Sequence, residues 1–361
     1  MSLPRLPRTD RTDRTDRTAG TARTARPARG RTTPFTTAAA VLVVLAAAGC
    51  SAEAADGEKR QKIDFGYIAD YNQAGLLAIA EKRGLWAKHG LDASYKVFTD
   101  GPTQITALGA GDLDFGTIGP GATWLPASGK ATVIAVNQLG RADRVVALPG
   151  KGIRTVADLK GRKVAVPEGT SGDMILTLAL KKAGLTRQDV QVVPMAPPTA
   201  VAALASRKID AAALWHPLLG TVEQRMPDLV ELAKSADFAE EFVFPSSVVA
   251  SPRTVKERPG LVTDVNRVLQ EANDLRHRDR AESVRITAGF LRLDERAVAE
   301  DARNTQPLST ADLLRKTEDG TVARWFAALQ EFFVSTGKLD GPARPDSFYA
   351  GGLYTKAADG K

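Results

Sequence analysis

The chain has 361 residues, a formal net charge of +7, one cysteine and three histidines. Residues 1–49 hold nine arginines and three aspartates, a net of +6, so the chain from Cys50 onward is close to neutral. That distribution excludes the basic balance as a sign of nucleic-acid binding. One cysteine and three scattered histidines exclude a disulfide framework and leave no metal cluster to propose.

In chain order, the Arg-Thr-Asp repeat at 8–18 is too poor in apolar residues to fold. Ala38 to Gly49 follows as twelve residues with no charged or polar side chain. This is the layout of an export signal, and it falls short of the roughly 20 residues that span a bilayer as a helix. Its ending, Leu45-Ala46-Ala47-Ala48-Gly49-Cys50, resembles the lipobox of bacterial lipoproteins, with Ala47 where that family most often has leucine. The resemblance implies cleavage before Cys50, lipid on its thiol, and an anchor at the outer face of the cytoplasmic membrane. A plain secretory signal with a chance cysteine is the alternative. Residues 50–61 read as the lipidated cysteine and a flexible polar tether.

The mature chain alternates strands and helices. Strands are expected at 62–68, 91–98, 113–118 and 132–136, with helices at 75–89 and 102–108 and a further helix after Gly119-Pro120-Gly121. A second alternating unit has strands at 144–148, 163–166, 190–193 and 210–215, helices at 171–183, 199–205 and 218–225, and a last strand at 246–250. The remainder is helical: 259–276, 280–291, 294–301, 310–316 and 322–336. In the last helix Val322, Trp325, Phe326, Leu329, Phe332 and Phe333 form one stripe, which is core. The pattern predicts an α/β protein of two lobes with largely parallel sheets covered by helices. Lobe I would comprise 62–139 and 253–345, lobe II 140–252, and 346–361 a C-terminal tail. The chain would cross near Gly140 and again near Pro252, making a hinge and a cleft.

Five segments carry a resemblance. They are Gly66-Tyr67 with Leu76 to Leu91, Leu108 to Gly116, Asp158 to Val166, Gly169-Thr170-Ser171, and Ala213-Leu214-Trp215-His216-Pro217. In order and spacing they resemble the nitrate/sulfonate/taurine group of solute-binding proteins, which serve ATP-binding-cassette (ABC) importers. The resemblance covers about 62–275. It implies a periplasmic-binding-protein-like (type II) fold, a small-molecule solute, a permease partner and a monomer.

The candidate ligand residues lie at strand ends. Gly169-Thr170-Ser171-Gly172 ends a strand and starts a helix, whose free N–H groups and positive dipole favour an anion. The hydroxyls of Thr170 and Ser171 add donors, although Ser171 could simply cap its helix. Gly119-Pro120-Gly121-Ala122-Thr123 occupies the equivalent corner of lobe I, where the N–H groups of Gly121, Ala122 and Thr123 are available and glycine permits close approach. A turn without a ligand is the alternative. Asn72 and Gln73 could orient a polar head group, and Trp215 could cover an apolar part. His216 stands where many relatives have an acid, which weakens any argument for neutralising an amine there; it tolerates an anion and could respond to pH. His89 and His277 are expected to be solvated.

No His-Glu-x-x-His, Gly-x-Ser-x-Gly, Walker or dinucleotide glycine pattern is present. Desulfinases and a pyrimidine synthase share the fold of the resembled family, but they rely on cysteine or cysteine/histidine motifs, and Cys50 lies outside the folded part. The sequence therefore points to a binder without cofactor, taking an oxyanion-bearing solute such as a sulfonate, taurine or nitrate. A neutral or aromatic nutrient such as a thiamine-precursor pyrimidine, with Tyr67, Tyr71, Trp124 and Trp215 as candidate contacts, and a sensory lipoprotein without transport role are the alternatives.

Overall fold

The computed structural model describes residues 60–359; the export signal, Cys50 and all of the tether except its last two residues lie outside the described residues. The first unit runs β1 (Gln61–Ile68), α1 (Tyr71–Lys82), α2 (Leu85–Lys88), β2 (Leu91–Phe98), α3 (Gly101–Ala110), β3 (Phe115–Ile118), α4 (Trp124–Ala127) and β4 (Thr132–Gly140). The second runs β5 (Asp143–Ala147), β6 (Lys163–Val166), α5 (Ser171–Lys182), β7 (Gln191–Pro194), α6 (Pro197–Ala205), β8 (Ala211–Trp215), α7 (Leu218–Glu223) and β9 (Val230–Lys234). Then come β10 (Pro245–Ala250), α8 (Pro252–Glu257), α9 (Pro259–Arg278), α10 (Arg280–Leu291), α11 (Glu295–Arg303), β11 (Thr305–Gln306), α12 (Thr310–Glu318), α13 (Thr321–Ser335) and α14 (Gly351–Lys356).

Two sheets result, ordered β11-β4-β10-β3-β1-β2 and β7-β6-β8-β5-β9. Both are mixed rather than largely parallel. In the first, β1 is parallel to β2 and β3, whereas β10 is antiparallel to β3 and β4. In the second, β6 is parallel to β7 and β8, whereas β5 is antiparallel to β8 and β9. The cause is connectivity. A strand arriving from the other lobe enters at the interlobe edge, so β5 and β10 must run against the strands whose carboxyl ends point there.

This topology moves one expected boundary. Ser246–Ala250 belongs to the first sheet, so the return crossing is at 235–244 and not near Pro252. The outward crossing is Arg141-Ala142, next to the predicted Gly140. All six residues of β10 are buried, because it lies between two strands under helices on both faces. The expected C-terminal tail is likewise part of lobe I. Val133 N donates to Phe348 O at 2.7 Å, Gln270 Nε2 to Tyr354 O at 2.8 Å, and Phe348 is buried.

Local signals account for the other differences. Asp70 caps α1 by accepting from Gln73 N at 2.7 Å, so the helix begins four residues before the expected Gly75. Gly84, at φ 64°, then splits the expected single helix into α1 and α2. The edge strand β9, half-exposed and mixed in composition, was not anticipated. The α13 stripe is core as expected: Val322, Phe326, Leu329, Phe332 and Phe333 are buried, with Trp325 packed at the margin.

Candidate functional site

The two expected corners meet across the lobe boundary. β3, buried throughout, ends at Ile118 and turns through Gly119 into Pro120–Ala122. In lobe II, β6 leads through Gly169, at φ 71°, to the start of α5. A Cβ at Gly121 would stand 2.1 Å from Thr170 O and 2.3 Å from Ser171 N, so only glycine allows the two backbones this approach. Gly172 has a comparable duty inside lobe II, where a Cβ would lie 2.5 Å from Ala213 O. Between the corners remains a cavity of about 30 Å³, bordered by Ile68, Asp100, Gly119, Ala122, Ser171 and Trp215. That is the share of one water in the liquid.

The hydroxyls differ from expectation. Thr170 is the N-cap residue of α5, but its Oγ1 donates to Pro167 O at 2.6 Å and does not cap the helix. Ser171 lies inside the helix instead of capping it, and its hydroxyl helps to hold down the Asp143 carboxyl. The positive end of α5 already has a carboxylate. Asp173 accepts from Gly169 N at 2.9 Å and forms ion pairs with Arg187 and, at 3.4 Å, with Lys338 of the other lobe. Trp124 Nε1 donates to Gly169 O at 3.3 Å, a second lobe-to-lobe bond beside the same seam. Thr123 Oγ1 is buried with no partner.

Asn72 and Gln73 sit in the first turn of α1 with different fates. The Asn72 side chain donates to Ser246 Oγ at 2.6 Å and accepts from Gln138 Nε2 at 2.9 Å, so its amide is committed within lobe I. Asn137 donates to Asn72 O, and Arg276, fully buried, donates to Asn137 Oδ1, Asn137 O and Asn273 Oδ1 at 2.6–2.7 Å. This network ties β4 to α9 and α1; burial lowers the guanidinium to about 10. Gln73 Oε1, by contrast, is buried without a donor.

Trp215 ends β8 opposite Asp143 and borders the cavity. His216 N donates to Ala142 O at 3.2 Å, and its Nε2 lies 3.6 Å from Glu223 Oε1. Burial, followed by the opposing pull of Glu223 and the repulsion of Arg144, leaves its value below that of a free imidazole. Of the aromatic candidates, Tyr67 packs against Tyr95 and Phe290, and the Tyr71 hydroxyl shares a 2.7 Å bond with Ser283, so both serve the lobe I core. His89, expected to be solvated, bonds Glu271 at 2.8 Å.

Three acids near the boundary were not anticipated: Asp70, Asp143 and Asp301, each about 95% buried or more. Burial raises the carboxyls of Asp143 and Asp301 to about 6, and raises Asp70 well above the usual range with further repulsion from Asp301 and Asp143. Asp70 was findable: a helix-capping Asp with Gln three residues on is a sequence-level start signal. Asp301 accepts from Tyr71 N at 2.7 Å across 230 positions, a pairing no local pattern reports. Among the described residues no cluster of His, Cys, Asp and Glu could hold a metal ion, and no helix is long and apolar enough to cross a membrane.

Two mixed α/β lobes, joined by two crossings and meeting at paired strand-to-helix corners, define the class of two-lobe solute-binding proteins. Within it, residues 71–281 match the NMT1/THI5-like family, and the chain belongs to that family. A putative binding protein of Brucella abortus is 49% identical over 80% of this chain and 90% of its own length. A putative aliphatic sulfonates-binding protein of Bacillus subtilis is 27% identical over 74% of this chain and 82% of its own. The alkanesulfonate-binding protein SsuA of Xanthomonas axonopodis superposes with a TM-score of 0.65 at 23% identity, over 80% of this chain and 97% of that one. The desulfurization enzyme DSZB shares the fold too, with a TM-score of 0.60 at 18% identity over 83% of this chain and 99% of its own. The nitrate/sulfonate/taurine type expected from the sequence is the type found.

Proposed function

We propose that the protein is the exported, Cys50-anchored solute receptor of an ABC importer, without catalytic activity of its own. It would capture a small oxyanion-bearing solute between open lobes, close, and present the closed form to a membrane permease. The observation that supports this most directly is the meeting of the Gly121 turn with the first turn of α5, where the backbones of both lobes come into contact. The solute favours the closed state only through contacts it makes with both lobes at once. Sulfonates, taurine and nitrate are the first solutes to try, given what the relatives of this chain are named for.

Thr170 Oγ1 is spent on Pro167, and Ala122 N and Thr123 N on Gly119 O and Pro120 O, leaving Gly121 N and the first N–H groups of α5, with the Ser171 hydroxyl available to a solute in exchange for Asp143. Calorimetric titration with taurine, alkanesulfonates and nitrate is the test. Ser171→Ala is expected to weaken the binding solute by about tenfold, the worth of one hydrogen bond to a charged group. Unchanged affinity would sink the oxyanion corner. A second reading, an aromatic nitrogenous nutrient, is favoured by Trp215 and Asp100 at the same cavity. Pyrimidines therefore belong in the same titration.

A further inference from the structure

The Ser171 side chain lies where the two lobes and a buried acid come together. It borders the cavity of about 30 Å³ between the corners, and its Oγ would stand 3.7 Å from a Cβ at Gly119 of lobe I. The same hydroxyl is near enough to Asp143 to favour that residue's charged form. Asp143 is the first residue of β5, directly after the outward crossing, and is 3% exposed. Its Oδ2 accepts from Ser235 Oγ of the return crossing at 3.3 Å, and its Oδ1 is buried with no partner.

Buried acceptors are nearly always satisfied, and buried carboxylates are normally paired with a cation. Among the described residues none forms an ion pair with Asp143, and neighbouring Arg144 is held by Glu231 at 2.8 Å and by the Asn304 side chain at 3.2 Å. Asp70 at the start of α1 and Asp301 of α11 bring charge of the same sign to this interior. His216 follows Trp215, the strand partner of Asp143, and burial keeps it below the free imidazole value, so it adds little positive charge at neutral pH. Asp173 of α5 is taken by Arg187 and Lys338, and Asp100, on the cavity rim, caps α3 through Thr103 N at 2.9 Å. Burial raises Asp143 to about 6, more than Ser171, Arg144 and Ser235 lower it.

One hydrogen is therefore wanted by two acceptors. A serine hydroxyl donates once, whereas a carboxylate and an oxyanion can only accept. An oxyanion at Ser171 also sets a second negative charge close to Asp143, which favours the protonated acid. We propose that Asp143 is a positioning residue of the oxyanion corner, and that solute capture takes up a proton from bulk water at its carboxyl. Protonated Asp143 donates to Ser171 Oγ, and the freed Ser171 hydrogen is donated to the solute. Anion affinity then rises as the medium becomes more acid. The inference rests on the reading of the corner as an oxyanion site.

Calorimetric titration of the purified full protein with methanesulfonate and nitrate tests it, because both stay ionised throughout and any pH dependence belongs to the protein. Affinity is expected to rise at least about tenfold from pH 8 to pH 6, as for one proton taken up per solute bound. Heats measured in two buffers of different ionisation enthalpy should show that uptake directly. In Asp143→Asn the amide donates to Ser171 Oγ at every pH. This variant is expected to bind at pH 8 about as tightly as the wild type does at pH 6, with no pH dependence and no proton uptake. A purely structural Asp143 would instead give weaker binding at both pH values. That result, pH-independent binding by the wild type, or a slope that survives Asp143→Asn overturns the proposal and leaves the oxyanion reading standing. No heat with methanesulfonate, nitrate or taurine at either pH overturns both.

Discussion

The lobe boundary is built in two contrasting ways. At the seam, Gly121 and Thr170 touch backbone to backbone, and Trp124–Gly169 and Lys338–Asp173 bond one lobe to the other. Beside His216, α7 and α11 stand apart as a groove around some 340 Å³ bordered by acids. The seam is sterically exacting and nearly free of net charge, because Arg187 and Lys338 face Asp173 and Glu168. The groove is sterically permissive and negative. One side of the boundary is thus matched in shape, and the other presents charge.

The largest way to break this contrast is Gly121→Ala. Its methyl would lie 2.1 Å from a carbonyl oxygen that cannot rotate away, so the lobes cannot reach the closed geometry. Solute affinity is expected to fall on the order of 100-fold, as the competent population shrinks. Small-angle scattering with saturating solute should show the variant still expanded; a compact variant would mean that the seam does not govern closure.

The lobe boundary is expected to respond to pH. Asp143 and Asp301 titrate near 6 in the folded protein, against about 4 in an unfolded chain. The folded state therefore binds their protons more tightly, and stability from these groups falls as pH rises from about 4 through 6. Moving from pH 7.5 to pH 5 is expected to add roughly 1 kcal/mol per group. The thermal midpoint of the wild type should rise relative to an Asp143→Asn, Asp301→Asn double variant, whose side chains stay neutral at both pH values. A difference that does not change between the two pH values would place these acids in a more solvated setting.

The smallest effect belongs to Lys338→Ala. Lys338 is about one-third exposed, and such pairs contribute under about 1 kcal/mol. A few-fold shift toward the open form, read by distance labels on the two lobes, is the expected result. A shift as large as that of Gly121→Ala would move the weight of closure from shape to charge.

Much of this was legible in the sequence. Lys163–Val166 and Arg280–Leu291 fall where the periodicity places them, because helix and strand periods are local properties. The two corners were legible too, since glycine next to a strand end signals close backbone approach. What escaped depends on distant partners. β10 joins lobe I because β3 and β4 flank it, and Thr170 loses its donor role because Pro167 O lies within reach. Asp301 becomes a boundary residue only through Tyr71.

The placement of β10 and β11 bears on how the molecule is made. Lobe II is one continuous stretch, from Asp143 to Lys234, and its sheet can form as soon as that stretch exists. The first sheet cannot. β4 finds its neighbours β10 and β11 only after a hundred or more further residues, and Val133 waits for Tyr349 near the end of the described chain. Until the final helices are synthesised, half of the molecule has unpaired strand edges and no finished core, which favours slow, late folding. For an exported chain, this order keeps the first half from becoming rigid until the final helices are present.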